Sequence, residues 1–158
     1  MRPECISIVI PVYQGERSIK GLVDEISAYF QPFRTEAGID AVVSEVILVH
    51  DCGPDRSDMA ISEQALNYQQ VRPVWLTRNF GQHAATLAGM SAATGDWIVT
   101  MDEDGQHHPG DIGRLLDCAF QDDLQVVYAR PGNNRPHGFL RNFSSELSKR
   151  IGRLVIGL

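Results

Sequence analysis

Trp97-Ile98-Val99-Thr100-Met101-Asp102-Glu103-Asp104-Gly105-Gln106-His107-His108 is an apolar, β-branched run that stops abruptly at two carboxylates one residue apart. Strands buried on both faces of a parallel sheet read as such runs, and ligands of open α/β sheets collect beyond the carboxyl ends of their strands. Asp102 and Asp104 therefore fall where that class does its chemistry. Hard oxygen donors at this spacing suit Mg²⁺ or Mn²⁺ held against phosphate oxygens. A solvated acidic turn leading into the next helix is the alternative, and the sequence on either side has to decide between them.

Upstream, Ile6 to Ile10 is a short β-branched run stopped by Pro11, and Val42 to Val49 and Val71 to Leu76 are further strands. Between them the period changes. Ile19, Leu22, Val23, Ile26, Tyr29 and Phe30 recur at helical spacing until Pro32. Asp58 to Tyr68 predicts a second helix, and Gln82 to Ala93 a third, rich enough in small residues to pack closely on a sheet. Downstream, Pro109 suits the first turn of a helix that buries Ile112, Leu115, Leu116 and Phe120, and Val126 to Ala129 predicts a fifth strand. Strand and helix alternate throughout, which predicts an α/β domain with a largely parallel sheet flanked by helices.

The 158 residues suffice for one domain with a single core. A net charge of −6 offers no broad basic field to neutralise phosphates and argues against a nucleic-acid-binding protein. Cys5, Cys52 and Cys118 are odd in number and widely spaced, which matches neither a zinc site nor a disulfide framework. Met1 to Glu4 lead directly into a strand, which predicts no secretory signal. No stretch reaches the roughly 20 apolar residues needed to cross a bilayer. The chain stops at Leu158 inside an apolar run, which predicts a longer protein truncated at its C-terminus.

Three predicted strands feed polar turns: Pro11 to Glu16, Asp51 to Asp55, and Asp102 to Gln106. Parallel strands would open all three on one edge of the sheet, and carboxylates crowded there repel one another unless a cation or a ligand's donors compensate. That favours the metal reading of the acidic turn.

Four stretches then carry a resemblance: Ile-Pro-Val-Tyr-Gln-Gly-Glu (10–16), Val-His-Asp-Cys-Gly-Pro-Asp (49–55), Arg-Asn-Phe-Gly-Gln-His-Ala-Ala (78–85) and Met-Asp-Glu-Asp-Gly-Gln-His-His-Pro (101–109). In this order they resemble the inverting family 2 glycosyltransferases with the GT-A fold, and within them the polyprenyl-phosphate glycosyltransferases. The resemblance implies that Pro11, Tyr13, Glu16, Arg78, Gly81 and Asp102 line the nucleotide part of a cleft and that Asp51 contacts the nucleoside. It implies that Asp102 and Asp104 hold Mg²⁺ or Mn²⁺ on the diphosphate of a UDP- or GDP-type sugar donor, with Gln106 completing the shell. Glu103, at the variable middle position, is expected to face away. Gly81 suits a backbone passing close to ligand, and a plain turn glycine explains it equally. His50 replaces the first of two adjacent aspartates common in the family, which leaves the nucleotide's identity open. His107 and His108 are expected as turn and helix-entry residues.

In the polyprenyl-phosphate branch an arginine after the fifth strand and an Arg-x-x-x-Ser pair are associated with the acceptor's phosphate. Here these are Arg130, and Arg141 with Ser145. Guanidinium forks bind phosphate oxygens in pairs, so the assignment is chemically sound. Residues 138–158 carry an apolar stripe (Phe139, Leu140, Phe143, Leu147, Ile151, Leu154) beside Arg141, Lys149, Arg150 and Arg153. Such a segment suits either a helix at the surface of an anionic membrane or one packed on its own domain. The implied activity is sugar transfer from a nucleotide donor to a polyprenyl phosphate, at the cytoplasmic face of the membrane. Three other readings compete: transfer to a saccharide acceptor, a phosphotransferase of the haloacid dehalogenase type with Asp102 as nucleophile, and a sugar-nucleotide-binding module without turnover.

Overall fold

Why the apolar runs become strands is visible in what they bury. The computed structural model describes residues 2–129, and all elements below lie in the unit Met1–Val127. Strand β1 (Glu4–Val12) has Ile6, Ile8, Val9, Ile10 and Val12 all buried, so both of its faces are covered. It pairs in parallel with β3 (Asp40–His50) on one side and with β5 (Trp97–Thr100) on the other. The far half of β3 takes β4 (Val71–Trp75) in parallel, from Val46↔Val71 to His50↔Trp75. Its first residues take β2 (Phe33–Arg34), the one antiparallel member among the described residues.

Helices cover both faces. Helix α1 (Ile19–Ile26), α2 (Ser57–Asn67) and α4 (Ile112–Gln121) contribute Ile19, Leu22, Val23, Ile26, Ile61, Ile112 and Leu116 to the larger core, against Ile6, Ile8, Ile10, Val46 and Leu48. Helix α3 (Gln82–Ala92) lies on the opposite face against Val9, Ile47 and Val49. Its small residues matter there. A Cβ built on Gly89 would sit 2.4 Å from Val9 Cγ1 and 2.8 Å from Val49 Cγ2, so helix and sheet are already in contact.

The expected α/β architecture and the four helices expected within the described residues hold, and several boundaries move. Pro11 does not stop β1: it pairs with Val49, and β1 runs on to Val12. Val9 accepts from Met101 N on the β5 side, so the same side at Pro11 lies past the last pair, Val9↔Thr100, and a missing N–H there breaks no ladder. The short β2 was not read from the sequence. Phe120, expected inside, is half exposed and packs its ring against Trp97 at 5.5 Å. Val126 to Ala129 is not a strand. Val126 is 64% exposed, and β propensity alone forms no strand without a neighbour to take its backbone groups. The segment 138–158 lies outside the described residues.

Candidate functional site

Because β1, β3, β4 and β5 are parallel, the chain leaves the sheet at one edge four times. The loops after Val12, His50, Trp75 and Thr100 gather there. Three of these turns were expected; the fourth, residues 76–81, is brought in by β4.

The turn after β3 packs hardest. A Cβ on Gly53 would lie 1.4 Å from the Tyr13 carbonyl oxygen, so only glycine lets this turn touch the loop after β1. Cys52 sits in the left-handed region at φ 50°, and its thiol donates to Leu76 O at 2.9 Å. Asp51 is 3% exposed, and its two oxygens accept Phe80 N at 2.7 Å and Gly81 N at 2.9 Å. Its expected place at the nucleoside is therefore preceded by a structural one, anchoring the loop after β4 where α3 begins. Gly81 is the turn glycine: with φ at 89° it precedes α3 in a conformation that side chains resist, although a Cβ built there would meet nothing within 4 Å. Arg78 is exposed and stacks its guanidinium 4.1 Å from the Phe80 ring centre. His50 ends β3 edge-on to Trp75 at 5.4 Å; its buried Nε2 has no hydrogen-bond partner among the described residues.

The loop after β1 is held from outside. Tyr13 N donates to Glu103 Oε2 at 2.9 Å and Gln14 N to Glu103 Oε1 at 3.0 Å. Gly15 N donates to Ser57 Oγ at 2.8 Å, and Glu16 N to Asp55 Oδ2 at 3.0 Å. Ser57 Oγ in turn donates to Asp55 Oδ1 at 2.5 Å. Tyr13 and Glu16 remain exposed at this rim, whereas Pro11 is buried within β1. A direct ligand contact through the Pro11 ring is thus not open in this arrangement, because the ring belongs to the sheet.

Glu103 is the main correction to the sequence reading. It was expected to face away, and it turns instead to the neighbouring loop, where its two oxygens accept two of four successive backbone amides. Burial pushes its carboxyl above the usual range, with the charges of Asp55 and Asp104 adding and the amides of Gln14 and Tyr13 opposing. Asp55 goes the other way: burial opposes its charge, but hydrogen bonds from Ser57 and the Glu16 amide outweigh it and hold the carboxyl low.

These bonds refine the crowding argument. Backbone amides compensate Asp51, Asp55 and Glu103, which leaves the acidic pair as the carboxylates with most spare capacity. Asp102 Oδ1 accepts Gln82 Nε2 at 2.6 Å, and its own N–H donates to His107 Nδ1 at 2.9 Å. Asp104 is exposed, with Oδ1 accepting the Gln106 amide at 3.0 Å. Gln106 thus supports the turn through its backbone. No cluster of three or more His, Cys, Asp or Glu with metal-binding geometry exists among the described residues. Two hard carboxylates fit Mg²⁺ or Mn²⁺ that takes its other ligands from water and phosphate; they do not fit an all-protein cage. Arg130, Arg141 and Ser145 lie outside the described residues. Sequence reasoning missed the contacts of Glu103, Gln82 and Ser57: the first two lie in the quoted stretches 101–109 and 78–85, but local spacing does not show which remote groups they meet.

Comparison with known proteins places these turns in context. The model of the family "Glycosyl transferase family 2" matches residues 7–155. The undecaprenyl-phosphate 4-deoxy-4-formamido-L-arabinose transferase of Aeromonas hydrophila is 33% identical over 92% of this chain and 43% of its own length. The protein of that name from Pectobacterium carotovorum is 38% identical over 89% of this chain and 41% of its own. The chain therefore spans about two fifths of the length of the curated relatives it matches. Among solved structures, Staphylococcus aureus TarS 1–349 in complex with UDP-GlcNAc superposes with a TM-score of 0.56, 22% identity and coverage of 84% of this chain and 36% of that one. The mannosyltransferase PcManGT of Pyrobaculum calidifontis, in complex with GDP-Man and Mn²⁺, gives 0.53 at 22% identity, over 65% of this chain and 28% of that one. No helix among the described residues is long and apolar enough to cross a membrane.

Proposed function

The chain belongs to glycosyl transferase family 2 and has the GT-A fold; on that premise we propose that it transfers a sugar from a nucleotide donor to a polyprenyl phosphate, inverting the anomeric carbon. The observation that carries this reading is the site itself: an acidic pair with spare coordination beside a loop rim bearing Tyr13 and Glu16, at the carboxyl edge of the sheet. The names of the relatives supply the acceptor class. With family membership shown, the phosphotransferase reading lapses. A saccharide acceptor or a binding module without turnover remains as an outcome of the test.

In this reading Tyr13, Glu16 and Arg78 flank the nucleoside, and Asp51 and Gly81 hold the wall behind it. Pro11 is buried in β1 beneath them, so its contribution is through the sheet rather than by direct contact. A divalent cation, Mg²⁺ or Mn²⁺, on Asp102 and Asp104 would neutralise charge on the departing nucleoside diphosphate. An oxygen of the acceptor phosphate forms the new bond to the anomeric carbon as the bond to the diphosphate breaks. A phosphate monoester, with a second pKa near ~6, is already largely ionised at neutral pH, so no dedicated base is required. Arg130, Arg141 and Ser145 are proposed to hold that phosphate in line, which makes catalysis chiefly a matter of positioning and electrostatics. Because the acceptor is a membrane lipid, residues 138–158 are the proposed contact with an anionic leaflet, on the cytoplasmic side.

Calorimetric titration of UDP and GDP, with and without Mn²⁺, tests the donor half directly. Binding of one nucleotide that requires Mn²⁺ and weakens at least ~10-fold in Asp104→Ala is expected. Folded protein that binds neither nucleotide would overturn the reading. Binding with donor hydrolysis but no transfer to a short polyprenyl phosphate, against transfer to a sugar, would move the acceptor to a saccharide.

A further inference from the structure

Residues 13–16 present four consecutive N–H groups, and side chains from two different loops receive all of them. The loop is thus positioned by its acceptors more than by its own turn. Those acceptors differ in origin. Ser57 and Asp55 stand at the start of α2, and Ser57 is fully buried, so that half is fixed to the core. Glu103 stands between Asp102 and Asp104 in the acidic turn, and takes the other two amides with one oxygen each. The fit is close: a Cβ on Gly15 would lie 2.9 Å from Glu103 Oε2 and 2.7 Å from both Val12 Cγ1 and Ile19 Cγ1. The carboxylate is wedged where the two loops meet.

Resting on the donor reading above, we propose that Glu103 is a positioning residue for the nucleotide donor, joining the loop that carries Tyr13 to the turn that carries Asp102 and Asp104. The two sides of the cleft then keep one spacing before any ligand arrives. Without the tie, the rim must be ordered at the moment of binding, and that entropy subtracts from affinity. The Tyr13 and Gln14 amides lie at an exposed rim where water can replace the carboxylate, so the fold itself does not depend on the tie.

Residue-resolved amide exchange and nucleotide titration on Glu103→Ala and Glu103→Gln test this. In Glu103→Ala the Tyr13 and Gln14 amides are expected to exchange at least ~10-fold faster while Ile8 and Val49 are unchanged. Affinity for UDP or GDP with Mn²⁺ should fall about 10-fold, with donor KM rising and acceptor KM constant in turnover. Glu103→Gln keeps one acceptor oxygen and should lie between, a graded rescue that a general loss of stability would not give. If Glu103→Ala fails to fold, the Gln variant alone carries the comparison. Unchanged exchange at Tyr13 and Gln14 overturns the tie. Faster exchange with unchanged nucleotide affinity overturns its role toward the donor. Wild-type protein that binds neither nucleotide overturns the donor reading first, and that result is distinguishable because it precedes any substitution.

Discussion

Asp51, Asp55, Glu103 and Asp104 are alike in composition and different in chemistry, because the amides around them differ. The same holds away from the site at Glu45, in the middle of β3. Its Oε1 accepts Ser7 Oγ at 2.7 Å, Thr94 N at 2.6 Å and Thr94 Oγ1 at 2.8 Å, and its Oε2 pairs with Arg72. Burial opposes the charge, but the hydrogen bonds from Ser7, Thr94 and Arg72 overcome it and bring the carboxyl down to about 2. A carboxyl lowered in the fold stabilises fully above its ordinary value of 4.5 and loses that contribution as pH falls toward about 2. Glu103, raised in the fold, contributes with the opposite sign and loses as pH rises. Urea unfolding of the wild type is therefore expected to weaken between pH 5 and pH 3 on account of Glu45. In Glu45→Gln stability at pH 7 should fall by about 1.5–3 kcal/mol, and the acid dependence should flatten. An equal slope in both proteins would remove Glu45 from the account. At Gly53 the prediction is steric. Gly53→Ala places a carbon 1.4 Å from the Tyr13 carbonyl, so a loss of about 2–3 kcal/mol is expected. That corresponds to a thermal midpoint lower by roughly 5–10 °C.

At the scale of elements, α3 shows two effects in competition. Gly89→Ala improves intrinsic helix propensity by about 1 kcal/mol. It also drives a methyl into Val9 and Val49, stiff β-branched side chains on adjacent strands, at 2.4 and 2.8 Å. Overpacking of this kind costs about 1–3 kcal/mol and wins, so the variant should unfold at lower urea. A more stable variant would show that α3 can lift off the sheet. Elements were largely legible in the sequence because periodicity reports burial: Ile19, Leu22, Val23 and Ile26 form one buried helical face as their spacing requires. The failures share a cause. Phe33–Arg34 became a strand because Asp40 and Ala41 of β3 stood opposite, whereas Val126 to Ala129 have no strand opposite them among the described residues. Pairing partners are remote in sequence and leave no local signal.

Across the whole described unit, four parallel strands bring four loops to one edge, and a chain of net charge −6 gathers carboxylates there. A nucleoside diphosphate is anionic, so it should bind poorly until a cation screens Asp102 and Asp104. Removing divalent metal with a chelator is expected to weaken nucleotide binding at least ~10-fold, and restoring Mn²⁺ or Mg²⁺ to recover it. Equal affinity with and without metal would place the diphosphate elsewhere.

Residue order alone determined the α/β class, the succession of the four parallel strands and the helices between them, and the position of the acidic turn at a strand's end. Each of these follows from side-chain periodicity and β-branched runs, which are properties of neighbours along the chain. Which carboxylates face the cleft and which serve the backbone was decided only in three dimensions. Asp51 reaches amides 29 and 30 residues away and Glu103 amides 90 and 89 away. A carboxylate's role is set by the donors that surround it, and those donors meet only when the sheet aligns the ends of its strands.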